Sequence, residues 1–173
     1  DRLSNNHVIG VYRGGSEIGP RALGHRSIIA DPRKKFMGDR INRSIKLREW
    51  YRPLAPIVLE GEAKNFFDTN IKDPFMLFIS SVLPNKIDII PAVIHVDGSS
   101  RIQTINKNQD EFLYKIVNEF YAKTGVPMLL NTSFNGKDEP MVETPEDALR
   151  SFINLGLDAL VLENFLLLRS AKV

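Results

Sequence analysis

Pro127-Met-Leu-Leu-Asn-Thr-Ser-Phe-Asn-Gly-Lys-Asp-Glu-Pro140 is a short apolar run that breaks into a polar loop, and it decides the fold. Met128, Leu129 and Leu130 have the length and character of a buried strand. Asn131, Thr132, Ser133 and Asn135 then set four hydrogen-bonding side chains beside a turn-forming Gly136. Ligands of open α/β sheets commonly bind where strands end in this way. A ligand-free Asx- and Ser-rich turn would use the same residue types, so the surrounding segments must separate the two readings.

Upstream, Phe112, Ile116 and Phe120 recur at helical spacing within Asn108–Thr124, and Gly125 stops the helix before the strand. Downstream, Thr144-Pro-Glu-Asp147 supplies a cap, a first-position proline and an acidic first turn. Ala148, Phe152 and Ile153 are the predicted buried face of that helix up to Gly156. Asp158–Leu162 and Phe165–Leu168 read as two closing strands joined by Glu163-Asn164. Earlier in the chain, His7–Tyr12 and Ser27–Ala30 are strand-like, and Phe36, Met37, Ile41 and Ile45 mark an amphipathic helix from Lys34. Ile57–Leu59 and Phe75–Leu83 read as further strands, with a short helix over Glu62–Phe67 between them. Ala92–Val96 and Arg101–Ile105 flank Asp97-Gly98 as a predicted hairpin. This order predicts a mixed α/β sheet with a mainly antiparallel ending, and no internal repeat.

With 173 residues the chain has the size of one domain, residues 1–173, rather than two. Hydrophobic residues make up 43% and charged residues 25%, an ordinary globular balance that disfavours disorder. A net charge of +2 is too even to demand nucleic acid, yet Arg13–Arg52 holds eleven basic residues against four acidic ones. Cysteine is absent, which excludes disulfides, thiolate catalysis and cysteine zinc sites and suits the cytoplasm. No apolar run approaches a membrane span, so no membrane partner is expected. The start at Asp1, close to a strand and without methionine, suggests a processed or truncated beginning and a neighbouring domain.

Gly14 and Gly19 have the first spacing of a phosphate loop, but Pro20 and Arg21 stand where that motif needs Lys and Ser or Thr. The dinucleotide fingerprint also fails. Lys46-x-Arg48, with Arg52 four residues on, lies in a proline-held segment where alternate residues would share a face. An arginine fork and a mobile lysine charge can together hold phosphate or carboxylate, although a solvated basic run would look the same. Ser133 and Asn135 share the alternation and could add neutral donors. His95, Arg101 and Gln103 sit on the predicted hairpin. The histidines His7, His25 and His95 are in separate segments with no metal-ligand spacing, so no protein-held metal is expected.

Four blocks then stand in a distinctive order: Gly19-Pro-Arg-Ala-Leu-Gly-His-Arg-Ser27; Asn42-Arg-Ser-Ile-Lys-Leu-Arg-Glu49 with Arg52-Pro-Leu-Ala-Pro56; His95-Val-Asp-Gly-Ser-Ser-Arg-Ile-Gln103; and Asn131-Thr-Ser-Phe-Asn-Gly136. From about Val11 to Leu168 the chain resembles the C-terminal region of the O-carbamoyltransferases of nodulation-factor and antibiotic biosynthesis. That resemblance implies a YrdC-like twisted mixed α/β sheet with flanking helices and a basic concave cavity. It implies carbamoyl phosphate and ATP with Mg²⁺ as substrates, and carbamoyl adenylate as product. An N-terminal ATPase-like transferase domain, which would also hold iron, is the implied partner. By the same resemblance Lys46, Arg48, Ser133 and Asn135 form the catalytic tetrad. Arg21, Arg52 and Arg101 bind nucleotide and phosphates, with His95 and Asn131 as secondary substrate-binding residues. The alternative is an RNA-binding or non-catalytic anion-binding module. The aromatic residues of the basic third, Tyr12, Phe36, Trp50 and Tyr51, are few for stacking on RNA, so nucleic acid is not expected.

Overall fold

The computed structural model describes residues 1–169. In chain order its elements are β1 (Ile9–Tyr12), β2 (Arg26–Ala30), α1 (Lys35–Asp39), β3 (Ala55–Leu59), β4 (Phe67–Asp68), β5 (Ser80–Val82), β6 (Ser99–Ser100) and β7 (Gln103–Ile105). There follow α2 (Glu111–Thr124), β8 (Met128–Ser133), α3 (Pro145–Asn154), β9 (Ala159–Leu162) and β10 (Phe165–Leu168). Seven strands form one sheet in the order β10-β9-β1-β2-β8-β3-β7, and β4-β5-β6 form a small second sheet. Only β1 with β9 and β3 with β7 pair in parallel; the other pairs of the large sheet are antiparallel. This is the mixed α/β sheet with flanking helices that the sequence predicts. Among the described residues no helix is long and apolar enough to cross a membrane.

Strands β2 and β3 are buried at every position because both faces of the sheet are covered. Helix α2 packs on β8 and β3 through Leu113, Val117 and Phe120, with Phe112 and Ile116 only partly buried beside them. The buried stripe is therefore rotated from the predicted Phe112–Ile116–Phe120 face. Asp110 caps the helix by accepting from the Leu113 amide at 3.0 Å, which sets its start three residues after Asn108. The predicted Thr144 cap is present and Asp147 completes it as a capping box, but Ile153 is 66% exposed while Ser151 is buried.

Three further expectations are corrected. The predicted helix from Lys34 runs only to Asp39, then widens into a π-helical turn over Arg40–Ile45 that ends with the Lys46 amide donating to Ile41 O at 2.8 Å. The predicted strand Phe75–Leu83 shrinks to Ser80–Val82. The reason is Asp73, whose buried carboxylate accepts from the amides of Phe75, Leu77 and Phe78, so those donors cannot enter a ladder. The hairpin over 92–105 does not form either. The Asp97-Gly98 turn is present, but Ser99 and Ser100 pair with β5, Gln103–Ile105 pair with β3, and Pro91–Val93 are a 3-10 turn.

Gly24 fixes the loop that precedes β2 against α2. Its φ is +125°, and a Cβ there would lie 2.5 Å from Leu113 Cδ2, a fully buried side chain. Gly24→Ala therefore combines backbone strain with overpacking and should cost about 3 kcal/mol. For a domain of this size that lowers the melting midpoint by roughly 6–12 °C in a thermal scan. An unchanged midpoint would show that this loop is free to shift.

Candidate functional site

The π-helical turn delivers Lys46 under the end of β8. Lys46 is only 5% exposed, and its Nζ donates to Ser133 O at 2.6 Å, Ser133 Oγ at 3.0 Å, Asn135 O at 2.9 Å and Asn135 Oδ1. Three N–H groups thus face four oxygens. Burial pulls the Lys46 amine from its ordinary value down to about 7; the Arg48 guanidinium adds to the depression and Glu139 opposes it. The Ser133 hydroxyl donates to Asn135 Oδ1 at 2.7 Å, and Asn135 Nδ2 donates to Glu139 O at 2.7 Å. Both side chains are engaged in holding the amine, rather than standing as free donors.

Lys46-x-Arg48 does not share a face by extension. Leu47 has φ +47°, and Arg48 turns back to donate from Nε to Asn42 Oδ1 at 2.8 Å. Asn42, 1% exposed, also donates to Trp50 O and Arg52 O, each at 3.0 Å, and so shapes the whole loop that carries Arg48 and Arg52. Its role was missed in the sequence; the available signal was an amide between Ile41 and Ile45 on a predicted apolar helix face. With Nε occupied, the outer nitrogens of Arg48 remain for a ligand. Burial lowers the Arg48 pKa, with Arg52 assisting and Glu49 opposing, yet a guanidinium keeps its charge. Arg52 pairs with Glu49 at 3.1 Å.

Lys46, Arg48, Arg52, Ser133 and Asn135 line one cavity of ≈ 380 Å³, completed by Leu47, Glu49, Gly136, Lys137 and Asp138. Its side chains are four basic and two acidic, the basic cavity that was expected. The remaining predicted residues, Arg21, His95, Arg101 and Asn131, form a second group outside this cavity. Asn131 and Ser133 are two residues apart on β8, so their side chains share a face roughly 7 Å apart. Asn131 Nδ2 donates to Ala22 O and to Gln103 Oε1, which ties the Gly19–Gly24 loop carrying Arg21 to β7. Parallel pairing sets Gln103 level with Ile57, next but one on β3 to Ala55, the register partner of Asn131. Burial lowers the Arg101 pKa, with Arg21 assisting and Asp73 opposing. His95 lies within the field of Arg101. None of Arg21, His95, Arg101 or Asn131 lines the Lys46 cavity itself.

Four buried polar atoms around this second group have no hydrogen-bond partner: Glu17 Oε2, His95 Nε2, Arg101 Nε and Asn131 Oδ1. Such atoms are rare in native folds and need an explanation, a bound ligand being one. The other Glu17 oxygen is occupied, accepting from the amides of Leu23, His25 and Arg26. Among the described residues no three metal-ligating side chains gather.

Much of the basic excess between Arg13 and Arg52 is spent inside the fold. Arg26 is 2% exposed, stacks 3.7 Å over Tyr12 and donates to the carbonyls of Arg13, Gly14 and His25. Arg33 pairs with buried Asp31 at 2.6 Å, and Arg40 with Asp158 at 2.9 Å.

The fold is shared with a solved protein. The chain superposes on full-length HypF, in its phosphate- and nucleotide-bound form, with a TM-score of 0.64 over 94% of this chain and 24% of that one. At 14% identity the likeness establishes the fold. Sequence relatives are much nearer. Nodulation protein NolNO of Sinorhizobium fredii is 46% identical over 168 residues, covering 95% of this chain and 25% of that protein. Nodulation protein NolO of Bradyrhizobium diazoefficiens is 45% identical over 169 residues, 96% of this chain and 31% of that protein. The chain therefore spans a quarter to a third of the length of these relatives. A match to the family described as carbamoyltransferase C-terminus runs over residues 1–169, and the chain belongs to that family.

Proposed function

We propose that the chain is the carbamoyl-activating domain of an O-carbamoyltransferase, binding carbamoyl phosphate and ATP with Mg²⁺ and forming carbamoyl adenylate. The observation that carries this reading is the Lys46 cavity, where a buried amine and two arginines meet the end of β8. The chemistry divides into two steps. Water opens carbamoyl phosphate to carbamate and inorganic phosphate; a carbamate oxygen then attacks the α-phosphorus of ATP and pyrophosphate leaves. Both steps develop charge on phosphate oxygens, where fixed guanidinium and ammonium groups stabilise the transition state without reorganising. Mg²⁺ supplies charge neutralisation on the nucleotide phosphates. Arg48 and Arg52 take phosphate oxygens beside Lys46, while Ser133 and Asn135 position its amine. Arg21, Arg101 and Asn131 meet the remainder of the nucleotide or acyl phosphate from the neighbouring group.

The adenylate is a reactive mixed anhydride and must be handed on. The receiving partner is an ATPase-like transferase domain of the same polypeptide, which would carry the iron and pass the carbamoyl group to a hydroxyl. The greater length of the relatives supports such a partner. The cytoplasm, where ATP is available, is the compartment of the reaction. An RNA-binding role is the weaker reading because Arg26, Arg33 and Arg40 are committed within the fold.

The test supplies the purified chain with ATP, Mg²⁺ and radiolabelled carbamoyl phosphate and resolves the products, with and without a hydroxylated acceptor. The expected result is slow release of pyrophosphate and adenylate leaking to water, with no carbamoylated acceptor. A folded protein that binds none of these substrates would overturn the reading.

A further inference from the structure

We propose that His95 is the residue that distinguishes a carbamoyl group from other acyl groups, its Nε2 accepting a hydrogen bond from the carbamoyl N–H. This rests on the function proposed above and goes beyond phosphate recognition, because it assigns the group that reads the acyl end.

The geometry fixes the ring's tautomer. Ser99 Oγ lies 2.6 Å from Asp97 Oδ1 and 3.2 Å from His95 Nδ1. Asp97 is held as a carboxylate, its pKa lowered first by the Ser99 hydroxyl and then by the Ser99 amide, so it can only accept. The single hydroxyl hydrogen of Ser99 therefore goes to Asp97, and the contact with His95 requires the ring to donate from Nδ1. Nε2 is left as the unprotonated acceptor of a neutral imidazole. Burial lowers the His95 pKa; Asp97 opposes and Arg101 assists, so the surroundings favour the neutral ring. Two backbone bonds close the turn as well: the His95 amide donates to Ser99 O at 2.8 Å and the Gly98 amide to His95 O at 3.0 Å.

His95 Nε2 and Arg101 Nε are both buried and both without partners. One is an acceptor and the other a donor. A carbamoyl group presents the complement, an N–H beside a C=O, whereas acetyl presents a methyl beside the same C=O. A buried acceptor facing a methyl stays unpaired, which is the arrangement by which sites reject an analogue lacking a hydrogen-bonding group.

The experiment is calorimetric titration of the chain with carbamoyl phosphate, acetyl phosphate and inorganic phosphate. Wild type, His95→Ala and Asp97→Ala are compared, with histidine ¹⁵N NMR as the structural readout. Wild type should prefer carbamoyl over acetyl phosphate by about 10-fold, the worth of one hydrogen bond. His95→Ala should bring the two acyl phosphates to within about twofold and leave inorganic phosphate unchanged. Asp97→Ala does not touch the ligand, yet it frees the Ser99 hydroxyl to donate to Nδ1. It should shift the ring toward the Nε2–H tautomer in the NMR spectrum and lose the same preference. Equal binding of both acyl phosphates by wild type, or a preference that survives His95→Ala, would overturn the assignment while the anion site stands. Failure of the folded wild type to bind any of the three would remove the proposed function and this inference together.

Discussion

Lys46→Ala is expected to lower carbamoyl-phosphate-dependent pyrophosphate release by about 10²–10³-fold, the range for removing one preorganised charge-stabilising donor. The amine is held by four oxygens from Ser133 and Asn135, so its position is set before any ligand arrives. The variant should still fold. Truncation strips those oxygens of their donor, but it also removes an amine that burial disfavours as a cation, and the two effects oppose each other. Ser133→Ala separates positioning from charge. It removes one acceptor and the hydroxyl bound to Asn135 Oδ1 while keeping the amine, and it should cost roughly tenfold. The measurement is steady-state pyrophosphate release on proteins whose thermal unfolding has been checked. A folded Lys46→Ala retaining more than a third of wild-type activity would remove Lys46 from the chemistry.

What the sequence reveals of this arrangement follows the range of the interactions involved. The β8 run, the Thr144 helix cap and the Glu163-Asn164 turn are local, so their residues predict them. The approach of Lys46 to Ser133 is not local. It crosses 87 residues and depends on a π-helical turn that no periodicity announces. The extended geometry inferred from Pro53 and Pro56 fails upstream because Asn42 gathers the loop by three hydrogen bonds. Asp73 is a similar case. Its capture of three amides depends on anchoring to Thr104, whose Oγ1 accepts from the Asp73 amide at 2.8 Å. That anchor is invisible in a stretch whose Phe75, Leu77, Phe78 and Ile79 otherwise read as strand. The four blocks meet in space, Lys46 reaching Ser133 and Asn135 while Asn131 reaches Ala22 and Gln103, although their spacing alone could not reveal which side chains are free.

The pH dependence of anion binding tests the state of the Lys46 amine directly. In the unliganded domain it titrates at about 7, against an ordinary value of 10.5. The unfolded chain therefore binds the extra proton between these limits. Stability bears the full cost of the buried charge below pH 7 and recovers as pH rises toward 10.5, by up to about 1.4 kcal/mol per pH unit. Lys46→Met should lack this rise in parallel denaturant titrations. A bound phosphate reverses the preference, since an adjacent dianion favours the ammonium and pushes its pKa back up. Binding above pH 7 then requires proton uptake. Affinity for carbamoyl phosphate should fall about 50-fold from pH 7 to pH 9 if the liganded amine titrates above that range. Phosphate ionisation, with a second pKa near ~6, is largely complete by pH 7 and does not mask the trend. Calorimetry at pH 8 in buffers of different ionisation enthalpy should register close to one proton taken up per ligand. Flat affinity across this range, with no proton uptake, would mean that the oxygens of Ser133 and Asn135 already hold Lys46 as a cation. The anion would then meet a permanent charge rather than one created by its own arrival.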